Sequence, residues 1–403
     1  MMNIQQLREQ FPQLNRTVYG KPLVYLDNAA TSLRPQPVID KWTEISSERT
    51  ANLHRAVHHI AAEATEEYEN TRLRVAGFIN APDPSEIVFT SGATHSLNLL
   101  AFSLGEAFVR QGDEIIVSEA EHHSNLVPWQ MLCARKGAVL KRLTVDDSGR
   151  LQAELLPSLI TPRTRIVAVA HISNVLGLVN PIEEIAAVCR KNGVLLVVDG
   201  AQGIVHQMVD VQALGCDFYA FSGHKMYASP GTGVLWGRKE LLEQMPPMFG
   251  GGEMIETVSW ESSTYAPLPR KFEAGTQNIS GTPTLSPAID LMRQMPPQED
   301  VKEYVYRTLT EEEPGVRLFG TTSDLRLKAP VFSFAVEGAH HEDLALILDK
   351  MGVAVRSGQM CAEPLMDRLG VTGLLRASFA PYNTLSEAEF FVTSLRKAIS
   401  MLK

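Results

Sequence analysis

The sequence predicts an α/β fold: a large domain on a mostly parallel sheet, residues 25–285, and a smaller α+β domain formed by residues 1–24 and 286–403. Three observations predict it. Between about residues 65 and 240, short apolar runs alternate with longer helix-like segments, as in a chain of repeated βα units. Thr90, Ser118, His171, Asp199 and Ser222 stand at or just past the ends of those runs, where parallel sheets bind their ligands. Beyond about residue 290 the repeat stops, and two-residue alternation appears instead.

In chain order, the first ten residues are polar and amphipathic, without the charged-then-apolar layout of a secretory signal. Strands are predicted at Glu86–Thr90, Asp113–Val117, Val139–Leu143, Arg165–Ala170, Val194–Val198 and Asp217–Phe221. The run Val194–Val198 is apolar throughout, which suits a strand buried on both faces. Pro181–Val188 reads as a covering helix with proline at its opening turn. Met295–Asp300, with two prolines, marks a junction between the domains. In the smaller domain, Ala329–Val336 alternates like a half-exposed strand and His341–Met351 reads as a helix. Val353–Arg356 reads as one strand and Leu374–Phe379 as another.

A chain of 403 residues can build two domains and a large core. Its net charge of −9 argues against nucleic-acid or acidic-membrane partners, which call for a basic surface. No apolar stretch approaches the roughly 18–20 residues that cross a bilayer. A cytoplasmic enzyme is expected. Cys133, Cys189, Cys216 and Cys361 are scattered, without metal-binding spacing or a disulfide framework, and no metal site is expected. The first three read as small buried apolar residues.

The chemistry concentrates at two strand ends. One run delivers Asp199 into Asp199-Gly200-Ala201-Gln202; the next delivers Lys225 through Ser222-Gly223-His224-Lys225. A pyridoxal 5′-phosphate (PLP) enzyme needs this pair: a lysine to form the imine, and a carboxylate to keep the pyridine nitrogen protonated. Thr90-Ser91-Gly92-Ala93-Thr94-His95 is a small-residue turn opening a helix, a candidate phosphate cup, with Thr94, Ser222 and His224 as further partners. His122, in Glu121-His122-His123, suits an aromatic ring stacked on the pyridine and able to shuttle protons; His123 reads as a packing or hydrogen-bonding neighbour. Asn174 suits the cofactor's phenolate oxygen or a substrate carboxylate, and Gln202 the phenolate. Cys361 lies in a small-residue loop after Arg356, and Arg376 follows. A guanidinium fork suits an amino-acid carboxylate, and a thiol near positive charge is nucleophilic.

Assembled, these motifs resemble the Suf/Csd-type cysteine desulfurases, a group that includes selenocysteine lyases, within the class V aminotransferase-like, fold-type I PLP enzymes. The resemblance also rests on Tyr25–Thr31, Asn52-Leu53-His54-Arg55, Glu273-Ala274-Gly275-Thr276 and Leu375–Phe379. It implies conversion of L-cysteine, or L-selenocysteine, to alanine. Sulfur would pass to Cys361 as a persulfide and then to an acceptor protein, for iron–sulfur cluster assembly or related biosynthesis. It implies catalytic roles for Lys225, Cys361 and His122, and substrate binding by Arg376, Arg356, Asn174 and His54. It also implies a homodimer in which Thr276 reaches the partner's cofactor phosphate.

The chain departs from the family pattern at several points. Met360 replaces a histidine before the cysteine, Ala93 and His95 replace threonine and glutamate, and Gln277 replaces a proline. Ala228-Ser229-Pro230 alters the segment after the lysine, and the stretch from Met292 to Gly315 is short. Two readings compete: a selenocysteine lyase or other PLP β-lyase or transaminase, and a catalytically weakened homologue kept as a sulfur relay.

Overall fold

The computed structural model describes residues 2–55 and 57–402. Seven strands form the main sheet, in the spatial order Ile87–Thr90, Gly233–Gly237, Phe218–Ser222, Leu195–Asp199, Thr164–Ala170, Glu114–Ser118 and Val139–Leu143. All run parallel except Gly233–Gly237, which pairs antiparallel with both of its neighbours. The apolar runs form central strands because both of their faces are covered. Ile116, Val167, Val198 and Phe221 enter one core, while Ile115, Ala168, Val197 and Ala220 enter another on the opposite face. The strand bounds differ by about one residue from those read in the sequence, as fraying ends do.

A second sheet orders Val316–Phe319, Val331–Val336, Leu374–Ser378 and Arg356–Gly358, every neighbouring pair antiparallel. Two expectations are corrected here. Val331–Val336 is not half exposed: five of its six residues are buried. Phe332 and Phe334 pack with Leu344 and Phe391 of the adjoining helices. On the other face Val331 packs with Ala29 and Ile172, and Ser333 Oγ donates to Val175 O. The alternating pattern is real, but its second face meets the loops of the main sheet instead of water.

Nor is Val353–Arg356 one strand. Val353–Ala354 pairs in parallel with Val24–Tyr25, whereas Arg356–Gly358 pairs with Leu374–Ser378. The chain changes partner at Val355, and this carries the following turn toward the main sheet. The N-terminal segment is tied down as well. Arg8 bridges to Glu387 at 2.9 Å, and Phe11 packs on Tyr382 and Tyr227. Among the described residues, no helix is long and apolar enough to cross a membrane.

Candidate active site

The carboxyl ends of the main strands open on a cavity of about 340 Å³. Asp199 closes its strand there, 6% exposed, and its Oδ1 accepts from the Ala201 N–H at 2.9 Å. The next residue must be glycine for packing reasons: a Cβ on Gly200 would lie 2.0 Å from the Tyr219 ring. Burial pushes the Asp199 carboxyl up, and the nearby Lys225 amine opposes that. Lys225 ends the short turn after Phe218–Ser222. It is partly accessible, yet desolvation is the largest influence on its amine, pushing it down against the pull of Asp199.

Beside them, the helix Ala93–Leu99 starts at the cavity, and the Ala93 N–H donates to Ser222 Oγ at 2.8 Å. Thr94 Oγ1 meets Ser124 Oγ at 2.8 Å, and Ser124 Oγ meets His122 Nδ1 at 2.9 Å. The Ser124 N–H also points at that nitrogen, at 3.1 Å, so Nδ1 is an acceptor and the ring proton sits on Nε2. Burial, then the charge of Lys225, push His122 down to about 4, which leaves a neutral imidazole. His224 Nδ1 lies 3.2 Å from Thr31 Oγ1, and burial pushes this ring down to about 4 as well.

The opposite wall comes from the second sheet. Arg376, 2% exposed, donates to Asn174 O at 2.8 Å and pairs with Asp27 at 3.2 Å; its Nε is buried without a partner among the described residues. Arg356 lies 3.5 Å from the same carboxylate. Cys361 is the exposed thiol of the four, whereas burial pushes the thiol of Cys189 up to about 12 and raises those of Cys133 and Cys216.

Thr94, His122, Asn174, Asp199, Ser222, His224, Lys225, Arg356, Cys361 and Arg376 all line the one cavity. Three expected residues do not. Gln202 is buried and donates to Ala29 O at 2.8 Å, bracing the loop that forms one rim. His54 stands against Tyr68, with Nε2 3.6 Å from Glu69. Thr276 is exposed, outside the cavity. Asn174 does line it, but its amide donates to Met360 O at 2.9 Å.

Sequence reasoning gave no role to Asp27, Ser124 or Glu121. Glu121 is fully enclosed: it accepts from Ser118 Oγ, from Asn125 Nδ2 at 2.6 Å and from the Ala170 N–H at 2.9 Å. Burial pushes its carboxyl up to about 8. Its place beside His122 in Glu121-His122-His123 was the available signal, since a carboxylate at a buried strand end needs donors. A larger cavity, about 640 Å³, lies against Cys189, Asp217 and Trp236, at the start of the strands and away from this chemistry. The smaller one combines an amine, a carboxylate, hydroxyls at a helix start, two guanidinium groups and an accessible thiol.

The aminotransferase class-V family model matches residues 24–391. A probable cysteine desulfurase of Vibrio cholerae serotype O1 is 44% identical over 407 residues, covering 100% of both chains. A cysteine desulfurase of Cronobacter sakazakii is 45% identical over 400 residues, covering 98% of this chain and 97% of its own. Among solved structures, the cysteine desulfurase CsdA of Escherichia coli superposes with a TM-score of 0.90 at 40% identity, covering 100% of each chain. The apo cysteine desulfurase of Thermococcus onnurineus NA1 gives 0.92 at 38%, over 100% of this chain and 99% of that one.

Proposed function

Because the chain belongs to the aminotransferase class-V family and matches cysteine desulfurases along its whole length, we propose that it converts L-cysteine to L-alanine and keeps the sulfur on Cys361. The observation that carries this reading is the meeting of Lys225, Asp199, Arg376 and Cys361 in one cavity.

The residues present fit pyridoxal 5′-phosphate. A lysine amine and a buried carboxylate share the cavity, and the Ser222 and Thr94 hydroxyls stand where a helix begins. When bound, this cofactor supplies an electron sink for the carbon that loses its proton. Lys225 Nζ would hold it, Asp199 would keep its ring nitrogen protonated, and His122 would cover the ring. Thr94, Ser222 and His224 would hold its phosphate. Asn174 would face its phenolate edge, and Gln202 would act there through the Ala29 rim that it braces.

The chain's own groups then perform the rest. Arg376, which lines the cavity, takes the substrate carboxylate, and Arg356 adds charge at the rim. Lys225 Nζ, whose proton affinity burial lowers, takes the proton from Cα. His122 is neutral and holds its own proton on Nε2, from which it can pass one onward. The Cys361 thiolate attacks the substrate sulfur; an S–S bond forms as the Cβ–S bond breaks, and the three-carbon amine takes up protons to become alanine. Cysteine plus thiol thus gives alanine plus persulfide.

Cys361 is exposed, which suits passage of that sulfur to an acceptor protein and onward to iron–sulfur cluster assembly. The reading assigns residues 25–285 to cofactor binding; residues 1–24 and 286–403 bring Arg356, Cys361 and Arg376 over it. It also assigns a homodimer. The hairpin Ile255–Val258 and Ser263–Tyr265 carries Val258 and a fully exposed Trp260, an apolar surface suited to a second copy. His54 and Thr276, both outside the cavity of their own chain, would act across that interface.

The test is alanine formation from L-cysteine with a reductant, comparing the cofactor-loaded protein with Cys361→Ala. Alanine from the parent and almost none from the variant is expected. Equal rates would remove the persulfide role and favour a lyase that releases sulfur directly.

A further inference from the structure

We propose that His123 is a positioning residue for Cys361, holding the nucleophile's turn from both sides. This deepens the desulfurase reading and rests on it.

Cys361 sits on the short turn between the strand Arg356–Gly358 and the helix Glu363–Leu369. Met360 and Cys361 are both left-handed, with φ of 53° and 56°. Non-glycine residues leave that region unless their surroundings hold them there, and two in succession need more than one hold. Inside the turn, the Ala362 N–H donates to Gln359 O at 3.0 Å. The holds from outside come from loops of the main sheet. Asn174 Nδ2 donates to Met360 O at 2.9 Å. The His123 N–H donates to Cys361 O at 2.7 Å. The Glu363 N–H then donates to His123 Nε2 at 3.2 Å.

One residue therefore takes hold of the carbonyl of the thiol-bearing residue and of the amide two positions later. Its ring must be neutral to do so, with the proton on Nδ1 and Nε2 free to accept. The preceding residue, His122, sends its own ring into the cavity, so a single turn sets both imidazole and thiol. Met360 lends the thiol no proton and no charge, and its side chain is buried at 5% exposure. Placement of Cys361 over the substrate is left to these contacts.

The experiment compares cofactor-loaded parent, His123→Leu, His123→Gln and Glu363→Pro. Glutamine keeps an acceptor near the Nε2 position. Proline removes the donor from the other side, and the first position of a helix tolerates it. Measured are kcat and KM for L-cysteine, the cofactor's absorbance change on adding cysteine, and alkylation of Cys361 by iodoacetamide, followed by peptide mass. In His123→Leu and Glu363→Pro we expect kcat to fall roughly tenfold or more, since small misplacements of a reacting group are costly. KM and the absorbance change should stay within about twofold of the parent's. Alkylation of Cys361 should become several-fold faster as the turn loosens, and His123→Gln should recover most of the parent's behaviour. Unchanged kcat and alkylation in His123→Leu would overturn the proposal, as would a His123→Gln protein as impaired as His123→Leu. A parent that makes no alanine would overturn the desulfurase reading instead, while the alkylation series would still report on the clamp.

Discussion

The two walls of the cavity are built differently. On one, Asp199, Ser222 and Lys225 leave the ends of strands whose both faces are buried in the two main cores. Their neighbours are fixed by main-chain pairing and by packing close enough that Gly200 has no room for a methyl group. On the other wall, the exposed Cys361 rides a short turn whose backbone is held left-handed by side chains of the first wall. The difference teaches a division of labour. On the proposed function, groups that tune a proton on a bound ring need a rigid, dry environment, whereas a thiol that accepts sulfur inside and releases it outside needs access.

The largest expected effect tests the rigid wall's chemistry. On the proposed function, Lys225→Ala should lower alanine formation by about a thousandfold or more, because it would remove both the cofactor's attachment and the base. The visible band of the lysine imine should stay absent after the variant is incubated with pyridoxal phosphate and the unbound cofactor is removed.

A second prediction tests why that wall is rigid. Arg72 and Glu273 form a buried pair at 2.7 Å, with side chains 2% and 1% exposed, and Glu273 also accepts from the Phe89 N–H, next to the end of the strand Ile87–Thr90. Glu273→Ala removes the buried carboxylate and leaves the guanidinium only Glu69 and Ile87 O, and should cost up to about 3–5 kcal/mol in denaturant unfolding. A double replacement by apolar residues should cost less than the sum of the single ones. If Glu273→Ala unfolds like the parent, the rigidity has another source.

The smallest effect sharpens the link between the walls. Lys328 is 2% exposed, with no carboxylate among its partners in the described residues; it donates to Leu176 O and to Gly320 O, the latter at 2.9 Å. It thereby ties the loop bearing Asn174 to the second sheet. Burial pushes its amine down to about 7. Between that value and the ordinary lysine range near 10, the unfolded chain binds a proton that the folded chain does not. This group's contribution to stability therefore rises with pH across that window, by at most about 1.4 kcal/mol per pH unit. Below about pH 7 both states are charged and the full penalty applies. Lys328→Met should flatten the rise in unfolding free energy between pH 7 and 10 relative to the parent; an unaltered slope would show that Lys328 stays charged in the folded protein.

Much of the fold was legible because it is written in local periods. The apolar runs could only be strands of a covered sheet, and the polar residue ending each run marked the ligand side, which is how Asp199, Ser222 and Lys225 stood out. The alternation of Ala329–Val336 was legible too, but not what would cover its second face. Ser333 reaches Val175 and Val331 reaches Ile172, contacts spanning more than a hundred residues that no local period encodes. Asp27 lies within the motif Tyr25–Thr31, yet its pairing with Arg376 appears only when the strand from Leu374 lies beside the N-terminal segment.

By itself, then, the sequence determined which side chains exist to do chemistry and which strand ends carry them, because side-chain identity and two- and 3.6-residue periods are local properties. Tertiary structure alone decided that His54 and Thr276 stand outside the cavity of their own chain, that Gln202 and Asn174 spend their amides on loop carbonyls, and that His123 grips the turn of Cys361. The physical reason is that buried donors and acceptors must find partners wherever the fold brings them, and those partners come from distant segments of the chain.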